Sequence, residues 1–499
     1  MQQGRKTVTQ NKSFDKKDLY WRVFGVIYSI ALFAINFIRI FDNNFWGDEA
    51  FSVGLARMNF GQMLTETALD VHPPLHYVED MILTRIFGDH GWVYHLGALL
   101  PYAIILIFTL TVIWKKFGKE CALILITFTS ILSTSIQYNV EVRMYSLAAM
   151  FVLLSYYFLY GIISQGRRKD YFCFVLTSLG AAYTHYYALI TVAFYYLALL
   201  VWTIKKKIPV KNLIITYAVT ILAYLPWGIV LISTLARTAG DFWMTEIPAV
   251  CDALLFIIEP ENVVFTITIF SLLILISVFI IIASIKSKSE TNNSHKSDFI
   301  QFPSATEGSF SLKSFLLWGW IALFGTLAMG FGVSYLVRPV FLIRYIYPAV
   351  VAFWLTISIT LTRIKYKKII AFVVILTTLQ SSVPLYLIEN EANREGTIRC
   401  DKTYEDLKTI LKEGDVIWTN GGHLDWTILD CYFTGLNHTK INTGYIPTEF
   451  KIGDYILWTY DFDASARFWL EYRGIQVVEV YHDGLLGDNW IHLFRITNI

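Results

Sequence analysis

The stretch "RVFGVIYSIALFAINFIRIF" (22–41) runs straight into "DNNFWGDEAFS" (42–52). The first part carries charge only at Arg22 and Arg39. About twenty such residues at ~1.5 Å each cross a hydrocarbon core roughly 30 Å thick. Two adjacent carboxylates, Asp48 and Glu49, follow where that span ends. They either mark the water interface or are placed to handle a proton, a cation or a sugar at the membrane face. The rest of the chain decides between these.

The 499 residues are 55% hydrophobic and 16% charged, whereas a soluble domain is nearer a quarter charged. Apolar runs of membrane-crossing length recur near 22–41, 92–114, 120–136, 144–163, 171–185, 187–204, 212–233, 262–285, 314–336, 340–361 and 369–388. This pattern predicts a polytopic α-helical membrane protein with about eleven spans. A spanning barrel is excluded, because it needs alternating segments of about ten residues. No small-residue cleavage site follows the first run, which reads as a retained helix and not a removed signal.

Lysine and arginine set the orientation. They cluster in the N-terminus, "KKFGK" (115–119), "GRRKD" (166–170), "KKKIPVK" (205–211), the 286–313 loop and "RIKYKK" (363–368), which is every second connection. The expected topology is a cytoplasmic N-terminal segment (1–21), a membrane region (22–388) and an extracytoplasmic tail (389–499), in the plasma membrane. The first external connection, 42–91, carries "FGQMLTETAL" (60–69) and "PPLHYVEDMILTRIF" (73–87), which read as helices lying in the interface. The 286–313 loop reads as a flexible linker. In the tail, "YEDLKTILKEG" (404–414) and "ASARFWLEYRG" (464–474) read as helices. "DVIWTN", "GDYILWTY", "IQVVEVYH" and "WIHLFRITN" read as strands. The alternation predicts a small α/β domain. Cys400 and Cys431 lie on the oxidising side, where pairing is open to them.

Chemistry-bearing residues gather at the external ends of spans. "DVHPPLHY" (70–77) adds Asp70, His72 and His76 to the loop of Asp48 and Glu49, with two prolines stiffening the backbone after His72. "YNVEVRMYSL" (138–147) places Glu141, Arg143 and Tyr145 before the fourth span. "FLIRYIYPA" (341–349) places Arg344 and Tyr345 at the tenth. Arginine is scarce on the external side, and a guanidinium matches a phosphate in two-pronged geometry. Headgroup anchoring is the plain alternative for both arginines. "AAYTHYYAL" (181–189) adds His185, for which an interfacial packing role is the simpler reading.

Taken together, "WGDEAFS", "HPPLHY", "EVRMYSL" and "IRYIYPA" resemble the GT-C glycosyltransferases, in the bacterial branch similar to protein O-mannosyltransferases and the aminoarabinose transferases of lipid A. The resemblance covers roughly 20–388. It implies a hexosyl- or pentosyltransferase whose acidic motif falls on Asp48 and Glu49 and whose donor is a sugar on a polyprenyl phosphate. It departs from relatives at His95, where many carry arginine in the second span, and at His72, which is lysine in some.

The residue chemistry then assigns Asp48 as the base that inverts the anomeric carbon. Arg143 and Arg344, with Tyr145 and Tyr345, bind the donor phosphate. Glu49, Asp70, His72 and His185 shape the site, and Glu49 and His72 are compatible with a divalent cation. The expected partners are the lipid donor, an external glycan, lipid or protein acceptor and the bilayer, with no nucleic acid. A transporter or flippase for lipid-linked sugars is the competing reading, yet transporter sites sit near the midplane. A polymer-binding or assembly protein working through its tail is the third.

Overall fold

The computed structural model describes residues 16–207, 209–237, 246–260, 307–363, 400–419, 423–433, 437–440, 450–459, 470, 472–486 and 489–499, with isolated positions at 244, 263–264, 266–267, 271 and 375–376. Among the described residues, seven helices are long and apolar enough to cross a membrane: Lys16–Phe41, Gly91–Phe117, Tyr145–Gln165, Tyr186–Lys206, Lys211–Arg237, Leu312–Leu336 and Ile343–Thr362. Each coincides with an expected span. Expected spans 262–285 and 369–388 lie almost wholly outside the described residues, as does the helix at 464–474.

Two spans differ in detail. The run at 120–136 is broken at Leu132, whose extended ψ of 148 divides a helix Lys119–Ile131 from a short one, Ser133–Tyr138. The run at 171–185 is one helix, Arg168–Thr184, whose seventeen residues make it a short span. The eighth connection also shortens, because helix Glu307–Leu336 begins inside the stretch read as a linker.

Burial ranks the helices. The Ile343–Thr362 span is 94% buried and Lys211–Arg237 only 17%. The former is the axis of the bundle, and the latter keeps apolar side chains such as Ile221, Leu222 and Ile229 outward, as a lipid-facing helix does. Hydrocarbon offers a backbone no partners, so these spans bond theirs within the helix, except where Pro101 and Pro226 lack an N–H to donate.

The connection 42–91 folds into three short helices. We label them α1 (Gly47–Arg57), α2 (Phe60–Leu69) and α3 (Leu75–Phe87). The two interfacial helices read from sequence are α2 and α3. α1 has no clean apolar stripe and is not evident from periodicity. Its first turn holds Asp48 and Glu49, where carboxylates suit the positive end of the helix dipole. Glu49 also reaches back to the helix start, its Oε2 accepting the Trp46 N–H at 3.3 Å. In α2, Asn59 and Gln62 form a reciprocal capping box, with Gln62 N–H donating to Asn59 Oδ1 at 3.0 Å. Pro74 caps α3, and Gly88 ends it at φ +89, a conformation glycine adopts without strain.

Among the described residues of the tail, five strands form one mixed sheet: β1 (Val416–Thr419), β2 (Asn437–Lys440), β3 (Tyr455–Thr459), β4 (Gln476–Leu486) and β5 (Asn489–Asn498). Their order is β2-β1-β3-β5-β4; β1 is parallel to β2 and β3, and β5 antiparallel to β3 and β4. Helices α4 (Cys400–Ile410) and α5 (His423–Tyr432) accompany it. The sequon at 437–439 forms strand β2. Cys400 and Cys431 are both buried.

The tail docks on α1. Phe45, Ala50, Val53 and Ala56 share one core cluster with Ile428, Leu429, Cys431 and Phe433. Polar latches flank it. Tyr432 Oη accepts the Phe45 N–H at 2.7 Å and donates to Asn43 O at 2.7 Å, while Arg57 Nη1 donates to Cys431 O at 2.8 Å.

Candidate active site

Asp48 and Glu49 are neighbours that face different ways. Glu49 is 5% exposed. Its Oε1 accepts the Val142 N–H at 2.9 Å, so it ties α1 to the turn 139–144. Burial pushes its carboxyl up to about 8, with Glu141 adding to the shift against the two backbone N–H bonds. Asp48 turns the other way. Its Oδ2 accepts from Arg344 Nη2 at 2.8 Å and lies 3.9 Å from Arg143 Nη2.

Each arginine is delivered by irregular backbone at a helix start. Arg143 precedes helix Tyr145–Gln165 in a tight turn where its own N–H donates to Glu141 O at 2.6 Å. It is 3% exposed, and its Nη1 donates to Asp48 O at 3.0 Å and to Ser52 Oγ at 3.3 Å. Arg344 stands in a 3-10 turn, Ile343–Ile346. Pro348 sets the start of the α-helix just beyond, since a proline fits a first helical turn and not its interior. Arg344 lies over the Trp46 ring, 5.2 Å from its centre. The Arg344 and Asp48 side chains keep 27% and 21% exposure, so one edge of the pair is open.

Aromatic rings line the same place. His72 stacks on His185 with centres 5.9 Å apart and meets Tyr345 edge-on at 6.2 Å. His185 lies 5.7 Å from Tyr145 and 5.2 Å from Tyr345. Burial, reinforced by Arg143, His185 and Arg344, holds His72 well below its ordinary value, so it is neutral. Asp70 caps the C-terminus of α2 and acts on Arg143 electrostatically.

The structure thus brings together Asp48, Arg143, Arg344, Tyr145, Tyr345, His72 and His185 from five separate stretches, with Asp70 and Glu49 behind them. Two further members are not marked by the sequence: Trp46, which carries Arg344, and Tyr77, fully buried beside Arg143. Glu141, seen there without a role, is held by Gln137, whose Nε2 donates to Oε2 at 3.1 Å. Burial raises the Glu141 carboxyl to about 7, against Arg344 and Arg143. Trp46 was legible in hindsight, two residues before Asp48. Among the described residues, no three His, Cys, Asp or Glu side chains are grouped as a metal ion requires. Glu49 spends both its oxygens on backbone N–H groups.

Residues 71–230 match the family model described as dolichyl-phosphate-mannose-protein mannosyltransferase. His72, Arg143, Tyr145 and His185 fall inside the matched stretch; Asp48, Glu49, Arg344 and Tyr345 fall outside it. The fold is similar to the crystal structure of ArnT from Cupriavidus metallidurans in the apo state, with TM-score 0.61 and 10% identity over 96% of this chain and 98% of that one. It is equally similar to the same ArnT bound to undecaprenyl phosphate, with TM-score 0.59 and 10% identity over 94% of this chain and 97% of that one. No curated protein matches the chain in sequence.

Proposed function

From the GT-C membrane fold that this chain carries, we propose that it is a membrane glycosyltransferase, moving a sugar from a polyprenyl-phosphate donor to an extracytoplasmic acceptor. One observation carries the reading. A single carboxylate, Asp48, sits against two guanidinium groups with an open edge. Two fixed cations beside one base are what transfer from a lipid phosphate needs. The ArnT structure with undecaprenyl phosphate supports a lipid of this class.

In this mechanism the donor phosphate competes with Asp48 for Arg344 and draws that guanidinium onto its own oxygens. Oδ2 of Asp48 is thereby released to accept the proton of the acceptor hydroxyl. The acceptor oxygen bonds to the anomeric carbon as the carbon–oxygen bond to phosphate breaks. The electron pair leaves with the polyprenyl phosphate, whose added charge falls between Arg344 and Arg143. One displacement inverts the anomeric carbon. Glu49 takes no part in bond-making, because its carboxylate faces Val142 and not the open edge. Asp70 and His72 form the wall, with Tyr145 and Tyr345 beside the phosphate. The N-terminus is cytoplasmic, and the tail clasps α1 from outside.

Mass spectrometry of polyprenyl-linked sugars, in cells with and without the chain, tests the reading. One lipid-linked sugar should accumulate when the chain is absent. An unchanged pool would overturn it in favour of a transporter or an assembly role.

A further inference from the structure

His185 joins helices Arg168–Thr184 and Tyr186–Lys206 in extended backbone, at φ −156 and ψ 135. It is 2% exposed. The backbone N–H of Tyr187 donates to its Nδ1 at 3.2 Å. A nitrogen that accepts a hydrogen bond carries no proton, so the proton of the neutral ring is on Nε2. The helix start therefore fixes the tautomer. No described residue bonds Nε2, which lies on the other edge of a ring surrounded by His72, Tyr145 and Tyr345. Both Arg143 and Arg344 stand close enough to act on this ring electrostatically. An N–H with no protein partner on the edge of this ring is free to donate to an acceptor in the cleft.

We infer that His185 is a phosphate-binding residue: its Nε2–H, held in place by the Tyr187 N–H, donates to an oxygen of the polyprenyl phosphate alongside Arg143 and Arg344. The inference rests on the glycosyltransferase reading for the identity of the ligand. It adds a third, uncharged donor whose direction is set by the backbone. It also argues against any metal-ligand role for His185. Metal binding at Nε2 would move the proton to Nδ1, against the Tyr187 N–H.

Two roles must be separated, since His185 also caps a helix. Asparagine is a good N-cap but is too short to reach the cleft, whereas glutamine reaches about as far as Nε2. The probe is farnesyl phosphate, titrated into the full-length protein in detergent, with unfolding temperature as the control for folding. His185→Asn should weaken binding by about tenfold or more, the worth of one hydrogen bond to a charged group. His185→Gln should stay within about threefold of wild type. Wild-type affinity in His185→Asn, with binding lost in Arg344→Ala, overturns the inference and leaves the wider reading intact. Wild-type affinity in Arg143→Ala and Arg344→Ala as well removes the phosphate site itself. Nitrogen NMR of the unaltered protein gives a second test, read on the native ring itself. The His185 signal, assigned by its loss in His185→Gln, should show protonated Nε2, whose proton moves downfield when farnesyl phosphate is added. Protonated Nδ1 overturns the inference.

Discussion

Arg344 donates to Asp48 at 2.8 Å across 296 positions of sequence. The bond joins the first turn of α1, outside the first span, to the turn that opens the most buried helix of the bundle. An ion pair with one open edge is a poor way to stabilise a fold, because its energy is largely spent on desolvation. It is a good way to keep a base and a phosphate holder in register until a ligand divides them.

Substitutions at Arg344 should separate charge from shape. Lysine keeps the charge but cannot form the two-pronged contact. Arg344→Lys should lower turnover by about tenfold and Arg344→Ala by more, with expression unchanged. Full activity in both variants would leave headgroup anchoring as the residue's role.

Glu49 should behave as a positioning group. Removing its carboxylate in Glu49→Ala leaves the buried Val142 N–H and the Trp46 N–H without their acceptor, at a cost of about 1–3 kcal/mol. The turn that carries Arg143 should then loosen. The expected result is a lower unfolding temperature together with weaker binding of farnesyl phosphate, partly restored in Glu49→Gln. Loss of turnover in Glu49→Gln with unchanged stability and binding would instead assign Glu49 to proton transfer.

Stability should fall as pH rises from about 6.5 to 8. Outside the spans, burial raises Glu49 and Glu79 to about 8 and Asp80 well above its ordinary value. These groups bind more protons folded than unfolded, so raising the pH through this window favours the unfolded chain. His72 and His76 are lowered, His76 to about 3, and act in the opposite sense. Their stabilising contribution is lost as pH falls below 6.5, which leaves the carboxyls to govern the neutral range. Thermal unfolding in detergent at pH 6.5, 7.2 and 8 measures the slope, and Glu79→Gln should flatten it. A rising curve, or one unaffected by Glu79→Gln, would show that these acids are not buried as described.

Orientation is open to labelling. Cys251 is exposed and should be replaced first. Single cysteines placed at 66 in α2 and at 412 in the tail should then react with an impermeant maleimide in intact cells, and one at 290 should not. Reaction at 290 alone would invert the topology and put the site in the wrong compartment.

Much of the fold was legible because spans are long and lipid admits only satisfied backbone. The site was legible for a related reason. Charge is expensive near the membrane, so Asp48, Arg143 and Arg344 stood out wherever they occurred. What the sequence concealed are the relations among near-neighbours. α1 has too mixed a pattern to announce a helix, so the divergence of Asp48 and Glu49 could not be read. The break at Leu132 lies among Thr129, Ser130, Ser133, Thr134 and Ser135, which weaken the run without locating a turn. The clasp of Tyr432 on Asn43 and Phe45 joins two parts of the chain that share no periodicity. Glu141 looked like an interfacial anchor, and only its burial beside both arginines marks it as part of the site.

The central claim is that Asp48 removes the acceptor proton while the arginines hold the phosphate. Cells lacking the chain, given back either wild type or Asp48→Asn at equal expression, provide the most direct measurement. The wild type should return the accumulated lipid-linked sugar to its ordinary level. Asp48→Asn keeps the shape but cannot take the proton, so the pool should stay high, with transfer reduced about a hundredfold or more while the purified variant still binds farnesyl phosphate. A pool cleared as well by Asp48→Asn as by the wild type would contradict the assignment of Asp48 as the base.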